Sequence, residues 1–172
     1  MNDAARAPRP GTVVSVYVPH GRVPGHAHFE YKLSFLDALA ALVASWLTEG
    51  PHLVLRGDIN VAPTDDDVFH PDAFAGLTHV TPMEREAMER VLAAGLVDLE
   101  VARWGATARR WAWWNYGTGY SRNLGMRIDM IAADAGLAAR LDTTWIDHVE
   151  RGVDKPSDHA ALLADFRLAV TE

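Results

Sequence analysis

Residues 53–64 read Leu-Val-Leu-Arg-Gly-Asp-Ile-Asn-Val-Ala-Pro-Thr, a short apolar run followed by glycine, an acid and an amide. A brief Leu/Val/Ile run bounded by turn residues predicts a buried strand. Because side chains alternate along an extended chain, we expect Asp58 and Asn60 to converge on one point. A carboxylate and a carboxamide there suit a metal-bound phosphate and a water to be deprotonated. Gly-Asp-x-Asn is also common in turns, so a purely structural turn stays open.

The composition is that of an ordinary globular domain, with 172 residues, 49% apolar and 23% charged. The absence of cysteine excludes disulfides and thiolate metal sites but leaves oxygen-ligated Mg²⁺ or Mn²⁺ open. No apolar run is long enough for a signal peptide or a membrane span, which favours a cytoplasmic protein without membrane contact. A net charge of −7 argues against coating nucleic acid by bulk attraction, yet it is compatible with a nuclease.

Strands and helices are predicted to alternate, which indicates an α/β layered fold. Strands are predicted at 12–18, from 53, and at 126–131, 143–146 and 160–166, and helices at 29–47 and 82–94. Thr81 is the expected N-cap of the second of these helices, with Glu84 closing a capping box. Residues 1–11 show no periodicity and are expected to form a flexible lead-in to one domain over 12–172.

Two groups of polar residues allow a metal-binding interpretation. The histidines at 20, 26 and 28 suggest a zinc site. A histidine-containing loop without metal is favoured, because no helical pair and no fourth ligand is evident. The three acids at 65–67 suggest a calcium site, but a solvated acidic run that starts a helix fits their spacing better.

Two strand-like segments carry residues that need an explanation. Asp129 lies among apolar neighbours, where a carboxylate needs a donor, and a histidine is the obvious one. Residues 111–116, Trp-Ala-Trp-Trp-Asn-Tyr, are either an aromatic core strand or a platform on which bases stack.

Six segments, in this order, resemble the exonuclease III family of apurinic/apyrimidinic endonucleases, within the metal-dependent endonuclease/exonuclease/phosphatase superfamily. They are Val-Tyr-Val-Pro-His-Gly (16–21), Gly-Asp-Ile-Asn-Val-Ala-Pro-Thr (57–64), Gly-Leu-Val-Asp (95–98), Trp-Trp-Asn-Tyr (113–116), Arg-Asn-Leu-Gly-Met-Arg-Ile-Asp (122–129) and Lys-Pro-Ser-Asp-His-Ala (155–160). The resemblance implies a DNase I-like fold, a four-layer αββα sandwich of two mixed β-sheets, of which residues 12–172 form the C-terminal portion.

The resemblance implies a catalytic role for five residues. Asp58 would orient or deprotonate the attacking water, and Asn60 would contact the phosphate. His159 would stabilise charge or assist the leaving oxygen, with Asp129 as its buried orienting partner. Tyr17 would supply a phosphate-contacting phenol.

The resemblance also implies a divalent metal, Mg²⁺ or Mn²⁺, and a DNA-binding surface for abasic or 3′-end duplex. The implied metal ligands are Asp58, Asn60, Asp158 and His159. The implied DNA contacts are Trp113, Met126 and Ile128, lining a pocket for a base-free sugar, and Arg122, Asn123, Arg127 and His20 along the backbone. His20 stands where the family usually carries an amide side chain. The other three proposed contacts to the DNA backbone, Arg122, Asn123 and Arg127, fit a structural or surface role equally well.

One departure concerns the first part of the family fold. The family places its first strands, a metal-binding glutamate and an early asparagine ahead of the strand matched at 12–18, and residues 1–11 offer no replacement. We therefore expect an incomplete sandwich with exposed sheet edges, marginal stability and self-association through those edges.

The expected function is a DNA repair nuclease of the exodeoxyribonuclease III / abasic-site endonuclease type with impaired activity. Two alternatives stay open. One is another phosphatase or phosphodiesterase of the superfamily, and the other is a catalytically silent domain that binds DNA or pairs with a partner.

Overall fold

The computed structural model describes residues 11–50 and 52–167, so the predicted lead-in lies outside the described residues except for Gly11. The strands are β1 (Thr12–Tyr17), β2 (Leu53–Asp58), β3 (Leu96–Asp98), β4 (Trp113–Trp114), β5 (Gly125–Met126), β6 (Asp129–Asp134), β7 (Leu141–Asp147) and β8 (Ala161–Phe166). The α-helices are α1 (Ala27–Glu49), α2 (Pro71–Phe74), α3 (Pro82–Ala93), α4 (Leu99–Trp104) and α5 (Ala135–Ala138). No helix of the described part is long and apolar enough to cross a membrane.

The main sheet has the strand order β1-β2-β6-β3. β1 and β2 run parallel, whereas β6 is antiparallel to both β2 and β3, so the sheet is mixed as predicted. Leu53 and Leu55 of β2 are buried because they face the helices, and Val54 between them faces the other side. The register sets Tyr17 opposite Asp58 and Asp58 opposite Asp129 at one end of this sheet.

Helices α1 and α3 cover one face of the main sheet. Their buried apolar side chains pack with those of β1, β2 and β6 in the largest core cluster, which includes Leu36, Leu39, Val43, Met88 and Val91. The predicted capping box at the start of α3 is confirmed, because Thr81 and Glu84 bond each other's backbone N–H groups.

The other face of the main sheet is only partly covered. The antiparallel hairpin β7–β8 packs with Ile131 and Ala133 of β6 and with Leu99 of α4. On β1, at the sheet edge, Val13 is 69% exposed and Tyr17 is 65% exposed. The expectation of an exposed edge strand is therefore confirmed.

Two sequence-based predictions are corrected around residue 127. The strand predicted at 126–131 is divided into β5, which pairs with β4, and β6, which joins the main sheet. The division falls at Arg127, whose buried guanidinium pairs with Asp67 and Asp98 and whose N–H donates to the carbonyl of Asp67. The acids at 65–67 form a 3₁₀ turn, but Asp67 is buried rather than solvated because it is one partner of this arginine.

Candidate active site

Three residues on adjacent strands form a row at one end of the main sheet. Tyr17, Asp58 and Asp129 are directly opposite one another in the register, so their side chains lie on the same face. His159, just before β8, approaches this row, with Nδ1 2.9 Å from Oδ2 of Asp129 and Nε2 3.9 Å from Oδ2 of Asp58. The predicted histidine partner of Asp129 is thus confirmed, and so is the convergence of two distant polar turns.

Asp58 and Asn60 meet through a turn rather than through strand alternation. β2 ends at Asp58, and Asn60 has a left-handed backbone with φ of 54°. Its N–H donates to Oδ1 of Asp58 at 2.9 Å, and its Nδ2 donates to Oδ2 at 3.0 Å and to the carbonyl of Val18 at 2.9 Å. The predicted meeting of the two side chains is correct, although the extended chain expected between them is wrong.

Gly57 allows β1 to approach β2 closely beside Asp58. Its φ is +135°, and a Cβ at this position would lie 1.9 Å from the carbonyl oxygen of Val16. Only glycine fits this combination of backbone conformation and contact.

The pKa of Asp58 is raised to about 6, first by burial and then by the negative charge of Asp129. The charges of His159 and Lys32 and the N–H of Asn60 oppose this rise without cancelling it. A carboxylate with a raised pKa is a better proton acceptor at neutral pH, which suits it to deprotonate a water.

Burial lowers the pKa of His159, but its hydrogen bond to Asp129 and the charges of Asp129, Asp58 and Asp158 outweigh that effect. The pKa therefore lies above the ordinary histidine value, and the site favours the imidazolium. A positively charged imidazole held between acids can stabilise negative charge on a phosphate or a leaving oxygen.

A buried network beneath the turn holds Asn60 in place. Its carbonyl accepts from Nζ of Lys32 and from Nδ1 of His79, both at 2.6 Å. Lys32, from α1, also pairs with Glu84, from α3, and both side chains are completely buried. Glu84 further accepts from the hydroxyl of Thr78 and the N–H of His79. The main sheet and the two helices therefore meet at the turn that carries Asp58.

Lys32 and His79 were not singled out by the sequence analysis. A lysine on the apolar stripe of α1, between Phe29 and Leu36, is the signal that identifies the first of them. His79 carries no comparable signal, because its loop has no periodicity.

The four predicted metal ligands do not form one coordination sphere. Oδ2 of Asp158 accepts from Nε1 of Trp113 at 3.0 Å, and its Oδ1 accepts from the hydroxyl of Tyr116 at 3.3 Å. His159 is already bound to Asp129 through Nδ1. Among residues 11–50 and 52–167, no group of three or more His, Cys, Asp or Glu is arranged to hold a metal. Asp158 therefore positions the aromatic segment in this structure.

The structure brings together the three residues predicted to line a sugar pocket. Trp113 of β4 pairs with Met126 of β5, and both pack in one cluster with Ile128 and Val68. Met126 is 1% exposed and Ile128 is 4% exposed, so they form the floor of this cluster. Trp113, half-buried and next to His159 through a β-bridge, is the one of the three with surface to offer a substrate.

The predicted backbone contacts divide into exposed and structural residues. Arg127 has a structural role instead of the predicted DNA contact, because its guanidinium is buried between two carboxylates that it binds. Oδ1 of Asn123 accepts from two tryptophan indoles. Arg122 and His20 are exposed, and the ring of His20 packs edge-on against His79.

The loop predicted to hold His20, His26 and His28 ends earlier than expected. His26 is the N-cap of α1, where its Nδ1 accepts from the N–H of His28. His28 lies inside α1, so the predicted histidine-containing loop is correct only as far as His26.

One end of the main sheet thus brings two carboxylates, a phenol and the imidazole of His159 together, an arrangement that suits acid–base hydrolysis of a phosphate ester. The chain is a member of the Endonuclease/Exonuclease/phosphatase family, whose model matches residues 2–159. It is 30% identical to exodeoxyribonuclease III of Haemophilus influenzae over 165 residues, which cover 91% of this chain and 61% of that protein.

Two solved structures are similar in fold and sequence. One is a 3′ phosphatase, NExo, from Neisseria bound to product DNA hairpin, with a TM-score of 0.87 and 32% identity. The other is an AP endonuclease from Archaeoglobus fulgidus, with a TM-score of 0.84 and 31% identity. The match covers 91% of this chain and 61% of each of those chains. These similarities confirm the exonuclease III-type resemblance and the DNase I-like fold expected from the sequence.

Proposed function

We propose that this chain is the catalytic portion of a cytoplasmic, divalent-metal-dependent DNA repair nuclease that hydrolyses phosphodiester bonds at abasic sites and 3′ ends. The observation that carries the proposal is the placement of His159 within reach of both Asp58 and Asp129. An acid with a raised pKa and an imidazole with a raised pKa, side by side, provide a proton acceptor and a proton donor for hydrolysis.

The residues of the site divide the tasks of this reaction. Asp58 accepts the proton of the attacking water, and Asn60 holds the two oxygens of that carboxylate in place. Asp129 fixes the ring of His159, which leaves Nε2 to donate towards the departing oxygen. Tyr17, exposed at the end of β1, presents its phenol to the phosphate.

The donor set around Asp58 fits a hard divalent cation. Burial and the nearby charge of Asp129 both disfavour the negative charge of Asp58, and a bound cation would offset that cost. Asp58 and Asn60 would hold Mg²⁺ or Mn²⁺, because Mg²⁺ often binds one or two carboxylates and keeps water and phosphate oxygens as its other ligands. When bound, the ion supplies a Lewis acid for the phosphoryl oxygens.

DNA would lie across the end of the main sheet. Trp113 and Tyr116 flank Asp158 beside the catalytic row, and both rings have surface to offer a sugar or base. Arg122 is exposed in the loop that follows, where a cation can hold the phosphate backbone.

A second candidate is removal of a terminal 3′ phosphate. The similarity to the Neisseria 3′ phosphatase, at 32% identity, favours it. The same row would serve, because a phosphomonoester and a phosphodiester need the same proton acceptor and donor.

Both candidates are tested with three labelled duplexes, carrying an abasic site, a recessed 3′ end or a 3′ phosphate. The purified chain is incubated with each duplex and Mg²⁺, and products are resolved by gel. Cutting beside the abasic site supports the nuclease, and release of phosphate alone supports the second candidate. If no product forms while a full-length exodeoxyribonuclease III is active on the same duplexes, the proposal fails and a silent DNA-binding domain remains.

A further inference from the structure

A cleft of about 450 Å³ lies between residues 109–111 and β7, away from the catalytic row. Neighbouring residues of a strand point to opposite faces. Trp113 of β4 therefore points towards Asp158, while Trp114 lines the cleft on the other side. The cleft is thus separated from Asp58 and His159 by β4. Its volume falls in the range of about 300–1,000 Å³ that is typical of small-molecule sites.

One polar group in the cleft is fixed in orientation. Oδ1 of Asn123 accepts from Nε1 of Trp111 and from Nε1 of Trp114, both at 3.1 Å. Because an indole N–H can only donate, the amide has to present its oxygen to the rings. Its Nδ2 therefore remains a donor for another partner.

The cleft also contains guanidinium and imidazole groups with donors to spare. Arg110 forms an ion pair with Glu100 through Nε at 3.0 Å, and its guanidinium lies 4.5 Å from the centre of the Trp104 ring. The N–H groups of its two terminal nitrogens have no hydrogen-bond partner among the described contacts. Nδ1 of His148 lies 3.3 Å from the hydroxyl of Tyr120, which leaves Nε2. Arg109 lies at the same side of the cleft, 5.4 Å from the centre of the Trp111 ring, but its guanidinium donates to the carbonyls of Val68 and Phe69 and lies 3.8 Å from Asp66.

Trp145 supplies an apolar surface at the side of the cleft. It lies in β7, is 36% exposed, and lines the cleft together with Ile146. A partly exposed indole is a good stacking surface, because every nucleobase has a π-face.

We propose that this cleft binds a nucleoside monophosphate, with the base stacked on Trp145 and the phosphate held by Arg110. The groups with hydrogen-bonding capacity left over are mainly donors, which selects a ligand rich in acceptors, such as a phosphate ester. The exposed indole selects a ligand with a flat ring, and a mononucleotide combines both features. The site is independent of the proposed nuclease activity, since none of its groups belongs to the catalytic row.

The proposal is tested by titrating the full chain with thymidine 5′-monophosphate, followed by calorimetry and tryptophan fluorescence. Thymidine and inorganic phosphate are titrated separately, to show whether base and phosphate are both needed. We expect the monophosphate to bind, and the two fragments to bind at least about tenfold more weakly, because each retains only one half of the recognition.

Three variants locate the binding. Trp145→Ala should weaken binding of the monophosphate at least about tenfold through loss of stacking. Arg110→Lys keeps a cation for Glu100 but loses the planar fork, so it should weaken the monophosphate and leave thymidine unaffected. Tyr31→Ala, which removes a more exposed ring from α1, is the control and should bind as the parent does.

Asp58→Ala separates this cleft from the catalytic row and should bind the monophosphate unchanged. Circular dichroism confirms that each variant is folded. No binding at millimolar monophosphate, or parent-like binding by both Trp145→Ala and Arg110→Lys, would overturn the proposal. So would loss of binding in Asp58→Ala.

Discussion

Oδ2 of Asp129 lies 2.9 Å from Nδ1 of His159, a residue 30 positions further along the chain. This hydrogen bond connects the main sheet with the segment that leads into β8. Asp129 is also directly opposite Asp58 in the register. One carboxylate therefore affects both the proton donor and the proton acceptor of the proposed reaction.

Asp129→Asn should lower the pKa of both neighbours. The negative charge of Asp129 is a cause of the raised pKa of Asp58, second to burial, and of the raised pKa of His159. Titrations followed by NMR of the histidine ring and the aspartate carboxyl measure the two values. A rise in the pKa of either Asp58 or His159 in this variant would contradict this account.

The same variant should show a stability loss that depends on pH. The pKa of His159 is raised on folding, so its contribution to stability is fully present below the unfolded value of about 6.5. That contribution is lost as the pH rises through the folded pKa. Asp129→Asn should therefore destabilise the chain most near pH 5–6 and less in alkaline solution. Urea unfolding at several pH values measures the difference.

Asp58→Ala should abolish any cleavage that the chain performs. Loss of a general base costs about 10²- to 10⁴-fold, and loss of a metal ligand adds to that. The measurement is the initial rate on an abasic duplex with Mg²⁺. Asp37→Ala, which removes an exposed acid paired with Arg90, should keep the parent rate. Full activity in Asp58→Ala would remove that residue from the mechanism.

Lys32→Met should destabilise the fold by about 3–5 kcal/mol, because it leaves Glu84 as an uncompensated buried charge. The matched control is Arg90→Gln, which breaks an exposed ion pair and should cost no more than about 1 kcal/mol. Urea unfolding measures both. In the double variant Lys32→Met/Glu84→Gln, the loss should be smaller than the sum of the two single losses. Equal effects of Lys32→Met and the surface control would contradict the buried network.

Gly57→Ala should destabilise the chain by roughly 4 kcal/mol or prevent folding, since a methyl group there would overlap the carbonyl of Val16. Gly152→Ala is the control, because a Cβ at Gly152 meets no atom within 4 Å. The control should change stability by less than about 0.5 kcal/mol. Thermal unfolding of both variants tests the close approach of β1 and β2.

Val13→Lys should reduce self-association through the edge of the main sheet. Among the described residues β1 is the outer strand and Val13 is exposed there, so unpaired backbone groups and an apolar side chain would be open to a second copy. We expect concentration-dependent association of the parent chain in sedimentation and less of it in the variant. A parent chain that is monomeric at every concentration would exclude this association.

Much of the layered fold was predictable because its signals are local. The β-branched run of β1, the apolar stripe of α1 and the capping box of Thr81 and Glu84 each depend on residues a few positions apart. The need of Asp129 for a donor was likewise evident, because a carboxylate among apolar neighbours is costly without a partner.

The remaining features depend on contacts between distant residues. Arg127 was open to a DNA contact or a structural role, and only its burial with Asp67 and Asp98 assigns the second. The strand predicted across it is divided for the same reason, since satisfying a buried guanidinium took precedence over continuous strand pairing.

By itself the sequence of this protein determined which groups are available for chemistry: an acid, an amide and an imidazole in turns between strands, with no thiolates. Tertiary structure alone decided that Lys32 and His79 hold the carbonyl of Asn60 and that Asp158 binds Trp113. The physical reason is that side-chain periodicity reports which face of its own element a residue occupies. The partner it meets there is set by how sheets and helices pack.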